Sequence, residues 1–171
     1  SGGNLFLALV FTMATCIILG MEVPTTAAYI MAAVVAAPVL IKLGIHPLAA
    51  HLFIFYFAIL SAITPPVCGA VYIASGMANA DWIETTRYSL RLSYAAFLMP
   101  FVFVYDPSLL FLSNSWLDIV LCIFRTVMAM IFLSAGFIGQ LRGGVKPFGR
   151  ILLIAIGILW IVPYWLFDLL A

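Results

Sequence analysis

Residues 59–70 read ILSAITPPVCGA, and the double proline inside them decides how the chain must fold. They lie in an apolar run over residues 46–80 that carries no formal charge. One straight helix over residues 47–78 would be roughly 48 Å long at about 1.5 Å per residue, against a hydrocarbon core of about 30 Å. The run must break, and Thr64-Pro65-Pro66 marks the place. Each proline lacks an N–H and clashes with the carbonyl four residues back, which releases the Ser61 and Ala62 carbonyls. Thr64 and Pro65, each preceding a proline, are pushed out of the helical region. Bare carbonyls at membrane depth are tolerated only where protein or a water-filled cavity meets them. Half-helices with unwound carbonyls between them hold ions near the midplane in secondary transporters. The break is therefore either an ion site, or a kink whose carbonyls are met by the Ser61 and Thr64 hydroxyls or by water.

Composition sets the solvent. Of 171 residues, 67% are hydrophobic and 8% charged, with mean hydropathy +1.28. A soluble domain of this size could not hide that much apolar surface, so the chain reads as an all-α integral membrane protein. A net charge of +1 gives no reason to expect nucleic acid or acidic partners. Cys16, Cys68 and Cys122 fall far apart inside apolar segments and read as small buried hydrophobes, with neither metal spacing nor a disulfide framework. The amino end, SGGNLF, has no basic n-region and no initiating methionine. It reads as the start of a piece cut from a longer polypeptide.

Upstream of the break, residues 5–20 form a first apolar helix just short of a comfortable span. Pro24 stops it and frees the Gly20 carbonyl, while Gly20 permits a tight bend. Thr25 and Thr26 open a second apolar helix that runs to about Leu43, where hydroxyls can cap and the dipole attracts anions. Residues 4–43 are thus either two ordinary spans or a re-entrant hairpin whose tip stops mid-membrane. Glu22 favours a wet tip, since a carboxylate in hydrocarbon is expensive. Ala28, Ala32 and Ala36, with Ala33 and Ala37 beside them, make a face that lets another helix approach closely. The turn over residues 42–47 assigns His46 to a loop or cap and His51 to packing or an interface.

Downstream, the broken segment covers residues 46–79, with Ala70, Ala74 and Ala78 as a second close-packing face. Asp81 reads as an N-cap with Glu84 at N3, opening an interfacial amphipathic helix over residues 81–91 that carries Glu84, Arg87 and Arg91 on one side. A span over residues 92–105 comes next, with Pro100 inside it, and residues 108–117 connect to two further spans at about 117–139 and 150–168. Arg142, Lys146 and Arg150, without a single acid between them, put the last link on the cytoplasmic side. Arg125 reads as an anchor that snorkels toward Asp118 or pairs with Asp168. Trp116, Trp160, Tyr164 and Trp165 fit interfacial belts.

Several of these segments together resemble one family. GMEVPTTAAYI, GIHPLAAHLFIFYFAILSAITPPV, YIASGMA and PFVFVYDPSLL are similar to the large membrane subunit of tripartite ATP-independent periplasmic (TRAP) transporters, closest to the TAXI-type fused permeases. The likeness is strong over residues 1–112 and only general over residues 113–171. It implies an elevator-type transporter of two inverted repeats, each with a re-entrant hairpin and a broken helix, of which this chain holds the second repeat and two extra spans. It also implies that the tip (Gly20, Pro24, Thr25, Thr26) faces the break (Ser61, Ala62, Thr64, Pro65, Pro66) across a cation site. A hard cation wants several oxygens, and freed carbonyls with threonine hydroxyls supply them. The substrate would lie beside it, against Thr25, Thr26, Val67 and Gly69. Where the family has GMGLPTT, this chain carries Glu22 and Val23.

The expected function is ion-coupled uptake, by Na⁺ or else H⁺, of a small organic anion delivered by a periplasmic substrate-binding protein. The setting is a bacterial or archaeal cytoplasmic membrane. The remaining partners are the first repeat, the small-subunit-like helices and the lipid bilayer; no cofactor, no enzymatic activity and no other metal are expected. The rival reading is a non-transporting membrane scaffold whose prolines only shape packing. A third, an intramembrane hydrolase using Ser61 or Ser75, lacks a histidine base in the sequence.

Overall fold

The computed structural model describes residues 4–21, 23–113, 115–139 and 146–161. Seven α-helices are found among them, and no strand. They are α1 (Leu5–Leu19), α2 (Thr25–Lys42), α3 (Pro47–Leu60), α4 (Gly69–Ala78), α5 (Trp82–Tyr105), α6 (Trp116–Ile138) and α7 (Pro147–Ile161). Short 3-10 helices come after α3 (Ser61–Ile63) and α5 (Pro107–Leu110). Among the described residues α2, α5 and α6 are long and apolar enough to cross a membrane. The chain is an all-α membrane protein. It divides into two compact units, residues 1–90 and 91–171.

In the first unit, α3 is the core. Ala49, Ala50, Phe53, Ile54, Phe57 and Ala58 are buried along it, at the spacing of a broad helical face. Both α1 and α2 pack on α3 and on each other. The approach of α2 rests on small side chains, for Ala28, Ala32, Ala33 and Ala37 are all buried while Val34 and Val35 are about 70% exposed. Such an exposed apolar face suits lipid or another apolar surface. Polar caps set the ends of these helices. The Asn4 side chain accepts from the Leu7 N–H at 3.2 Å, and His46 Nδ1 accepts from the Leu48 N–H at 3.3 Å ahead of Pro47.

Two expectations change here. Ala70, Ala74 and Ala78 do not form a buried face; α4 turns Val71 and Ser75 inward instead and leaves those alanines outside its buried set. The interfacial helix and the span after it are one continuous helix, α5, capped by Asp81, whose Oδ1 accepts from the Glu84 N–H at 2.8 Å. Nothing between Leu90 and Tyr94 breaks a helix, and the charged first turns simply continue into the apolar ones.

In the second unit α6 and α7 pack closely on two glycines. A Cβ at Gly136 would lie 3.1 Å from the Arg150 carbonyl and 3.2 Å from the Ile154 nitrogen; one at Gly157 would lie 2.7 Å from Leu133 Cγ and 3.1 Å from its nitrogen. Backbone meets backbone at both places, so neither neighbour can yield cheaply. Arg150 then closes the helix end: Nε donates to the Gly136 carbonyl at 3.1 Å and Nη2 to the Phe137 carbonyl at 2.9 Å. A cation there also complements the negative end of the α6 dipole. Gly157→Leu is expected to separate the pair and to destabilise this unit by about 3 kcal/mol or more. Thermal unfolding of the detergent-solubilised protein checks this, and an unchanged midpoint would contradict it.

Candidate functional site

Two interruptions of the chain meet in the first unit. α1 ends at Leu19 and Gly20 caps it, its N–H donating to the Cys16 carbonyl at 3.0 Å. α3 ends at Leu60, and the chain tightens to 3-10 geometry because the donors that would continue the helix are prolines. Thr64 turns extended, at φ −101° and ψ 131°, as a residue before proline must. The Pro65–Pro66 peptide bond is cis. Cys68 takes the left-handed conformation, at φ 39°, donates its N–H to the Thr64 carbonyl at 3.3 Å, and leads into α4.

Ser61 joins the interruptions. It is wholly buried, and its Oγ–H lies within reach of two carbonyls, Ala58 at 2.7 Å and Gly20 at 3.0 Å. The approach is so close that a Cβ on Gly20 would overlap Ser61 Oγ and sit 2.8 Å from its Cβ. Glycine is therefore required at the bend for space. Gly20 has an ordinary right-handed backbone, φ −87°, so positive φ plays no part.

The oxygens at the break divide into satisfied and open ones. The expectation that the Ser61 carbonyl is released needs correction: it accepts the Thr64 N–H at 3.2 Å through the 3-10 turn. The Ala62 carbonyl has no such rescue, since the residues three and four positions on are Pro65 and Pro66. Thr64 Oγ1 donates to the Leu60 carbonyl at 2.7 Å. As donors, the Ser61 and Thr64 hydroxyls keep lone pairs that a hard cation can use. The Gly20 and Ala62 carbonyls are further oxygen acceptors on the two interruptions. Among the described residues no cluster of His, Cys, Asp and Glu offers a transition-metal alternative.

The remaining expected residues fall at or beside the starts of α2 and α4. Thr25 and Thr26 are exposed in the first turn of α2, but they do not cap it; Pro24 occupies the cap position and no side chain caps the helix there. The reason is register: Pro24 takes the boundary conformation, which places both threonines already inside the helix. α4 likewise begins without a side-chain cap at Gly69, around which a Cβ would find open space. Each interruption thus leads into a helix N-terminus, a place where an anion is favoured. Val67 and Ala62 are half-buried, and Pro65 and Pro66 are exposed. Glu22 lies outside the described residues, as do Asp168, Tyr164 and Trp165.

Sequence reasoning missed one polar contact. Tyr29 Oη and His51 Nδ1 are 3.0 Å apart between α2 and α3, with Phe55 edge-on to Tyr29 at 5.6 Å. The residues are 22 apart, and no local spacing signals such a pair. Ser61 and Ser75, the nucleophiles of the hydrolase reading, both donate to main-chain carbonyls, Ser75 to Tyr72 at 2.8 Å. All three cysteines are buried and unbridged.

Comparison with curated proteins and with solved structures gives no match. Comparison with family models does: residues 1–113 match the DctM component of the tripartite ATP-independent periplasmic transporter. The matched region contains the bend at Gly20, the double-proline break and Asp106. The family is one of transporters, not of enzymes, and membership implies work with a periplasmic binding protein and a small membrane subunit. With about two thirds of its length in the match and an all-helical membrane fold, the chain belongs to the DctM family and is a membrane permease component of a TRAP transporter.

Proposed function

We propose that this permease component couples uptake of a small organic anion to a cation, Na⁺ in the first instance, bound between the Gly20 bend and the Thr64-Pro65-Pro66 break. The observation that carries the reading is the Ser61–Gly20 contact, which brings two unwound main-chain stretches within one hydrogen bond of each other. The Gly20 and Ala62 carbonyls and the Ser61 and Thr64 hydroxyls are the ligands on this side. The anion's carboxylate lies against the uncapped starts of α2 and α4, near Thr25, Thr26, Val67 and Gly69. At 15 residues, α1 spans about 22 Å, short of a hydrocarbon core of about 30 Å, which suits a re-entrant arm better than a full crossing. The reading extends to an elevator of inverted repeats in a bacterial or archaeal inner membrane. α6 and α7, beyond the family match, suit the extra spans of TAXI-type fused permeases.

Uptake by the intact permease in proteoliposomes, supplied with its binding protein, tests this across separate Na⁺ and H⁺ gradients. Uptake driven by an inward Na⁺ gradient and abolished by its removal supports the reading; uptake indifferent to both gradients, or none at all as the scaffold reading requires, refutes it. Thr64→Val keeps the side-chain shape and deletes one ligand oxygen. Losing one charge-assisted contact of about 1.5–3 kcal/mol should weaken apparent Na⁺ affinity by about tenfold or more. A Na⁺ titration of uptake that matches the wild type would remove Thr64 from the site.

A further inference from the structure

α2, which begins with Thr25 and Thr26, lies on α3 along a nearly smooth face. The residues it buries are Ala28, Ala32, Ala33 and Ala37, with Leu40 at the end far from the threonines. Small side chains let two helices approach closely. They also leave shallow ridges, and interlocking ridges are what fix one helix's position along another. The threonine end has little else to hold it. No side chain caps it, and its first turn is closed by main chain, the Ala28 N–H donating to the Pro24 carbonyl at 3.0 Å.

One turn beyond the threonines, Tyr29 interrupts this smoothness. Its Oη shares a hydrogen bond of 3.0 Å with His51 Nδ1 on α3. Its ring stands edge-on to Phe55, with centroids 5.6 Å apart and planes at 88°, and edge-on to the imidazole at 6.2 Å. His51 and Phe55 are four residues apart and so neighbours on one face of α3, where together they seat the tyrosine. A hydrogen bond weakens steeply once its geometry is lost. It therefore sets a position, where methyl contacts set only a distance.

We infer that Tyr29 and His51 are positioning residues: their hydrogen bond pins the register of α2 on α3, and so fixes where the uncapped start of α2 stands relative to the break. Tyr29 follows Thr25 by four residues, about 6 Å along the axis, so slack at the pin passes directly to the threonines. That this helix start meets the transported anion rests on the function proposed above. The pin itself rests on the α2–α3 contact alone, and its test involves neither cation nor anion.

Backbone hydrogen exchange of the intact permease tests the pin through a double-mutant cycle. Tyr29→Phe keeps the ring against Phe55 and deletes the hydrogen bond, and His51→Leu deletes it from the other side. Each is expected to speed exchange over residues 28–33 by about fivefold, as loss of one hydrogen bond of about 1 kcal/mol gives, while residues 39–42, beside Leu40, exchange as before. The double variant is expected to add nothing, because the bond is lost only once. His51→Asn holds an oxygen close to where Nδ1 stands and is expected to exchange like the wild type. If His51→Leu fails to fold, Tyr29→Phe and His51→Asn still decide. Wild-type exchange in Tyr29→Phe, additive effects in the double variant, or His51→Asn as fast as Tyr29→Phe overturns the assignment. So does equal speeding along the whole of α2, which would make the pair general packing.

Discussion

Gly20→Val is expected to reduce uptake by about 100-fold or more while the protein still inserts and folds. The position has no room for a side chain: a Cβ there overlaps Ser61 Oγ, and Ser61 is itself wholly buried at the end of α3. α3 is the core of its unit and cannot withdraw, so the bend must. Overpacking of this kind costs about 1–3 kcal/mol, and the displaced Gly20 carbonyl forfeits a cation contact of about 1.5–3 kcal/mol more. At about 1.4 kcal/mol per decade, the two together reach two orders of magnitude or more. Gly20→Ala with Ser61→Gly restores the space and removes the hydroxyl. That double variant should regain wild-type expression and stability without regaining Na⁺-driven uptake. Initial rates in proteoliposomes at saturating and limiting Na⁺ provide the check, and wild-type rates in Gly20→Val would show that the bend and the break need not touch.

The second large effect is opposite in sign for stability and for function. Pro65→Ala with Pro66→Ala returns two N–H groups to the positions that would continue α3, and the Ser61 and Ala62 carbonyls then have helical partners. A proline in a helix interior is about 3 kcal/mol worse than alanine. The variant should therefore be at least as stable as the wild type, with more helix by circular dichroism. Uptake should fall to background, because the Ala62 carbonyl assigned to the cation is consumed by the helix and the bend that sets the other oxygens is straightened. If the prolines only shaped packing, a straightened segment would disturb assembly and stability together. A stable, more helical and inactive protein separates the ion-site account from that alternative.

The break itself was legible in the residues. That Thr64-Pro65-Pro66 interrupts an apolar run needs no tertiary context, because the missing N–H groups are a property of proline itself. The alanine face of α2 and the caps at His46 and Asp81 were legible in the same local way, through periodicity and side-chain chemistry. Contacts between distant segments were not. Gly20 reads as a bend in the sequence, yet its backbone is unexceptional and its reason for being glycine is Ser61, 41 residues away. The Tyr29–His51 pair is likewise a product of packing. Even the local reading erred where two rules competed. Thr25 and Thr26 look like caps, but Pro24 claims the boundary, and the released Ser61 carbonyl finds a donor once the chain tightens to 3-10 geometry.

The claim on which the transport mechanism rests is that the bend at Gly20 and the double-proline break bind one coupling cation between them. Backbone hydrogen exchange of the intact permease measures it most directly, compared in Na⁺ and in K⁺ at equal ionic strength. The amides to monitor are Gly20 and Met21 on one side and Thr64 and Cys68 on the other, each of which donates a main-chain hydrogen bond beside the proposed ligands. The account predicts slowing of both groups together, by about tenfold, in Na⁺ alone, as one charge-assisted contact of about 1.5 kcal/mol or more would give. Equal exchange in the two salts, or slowing at one group without the other, would contradict it.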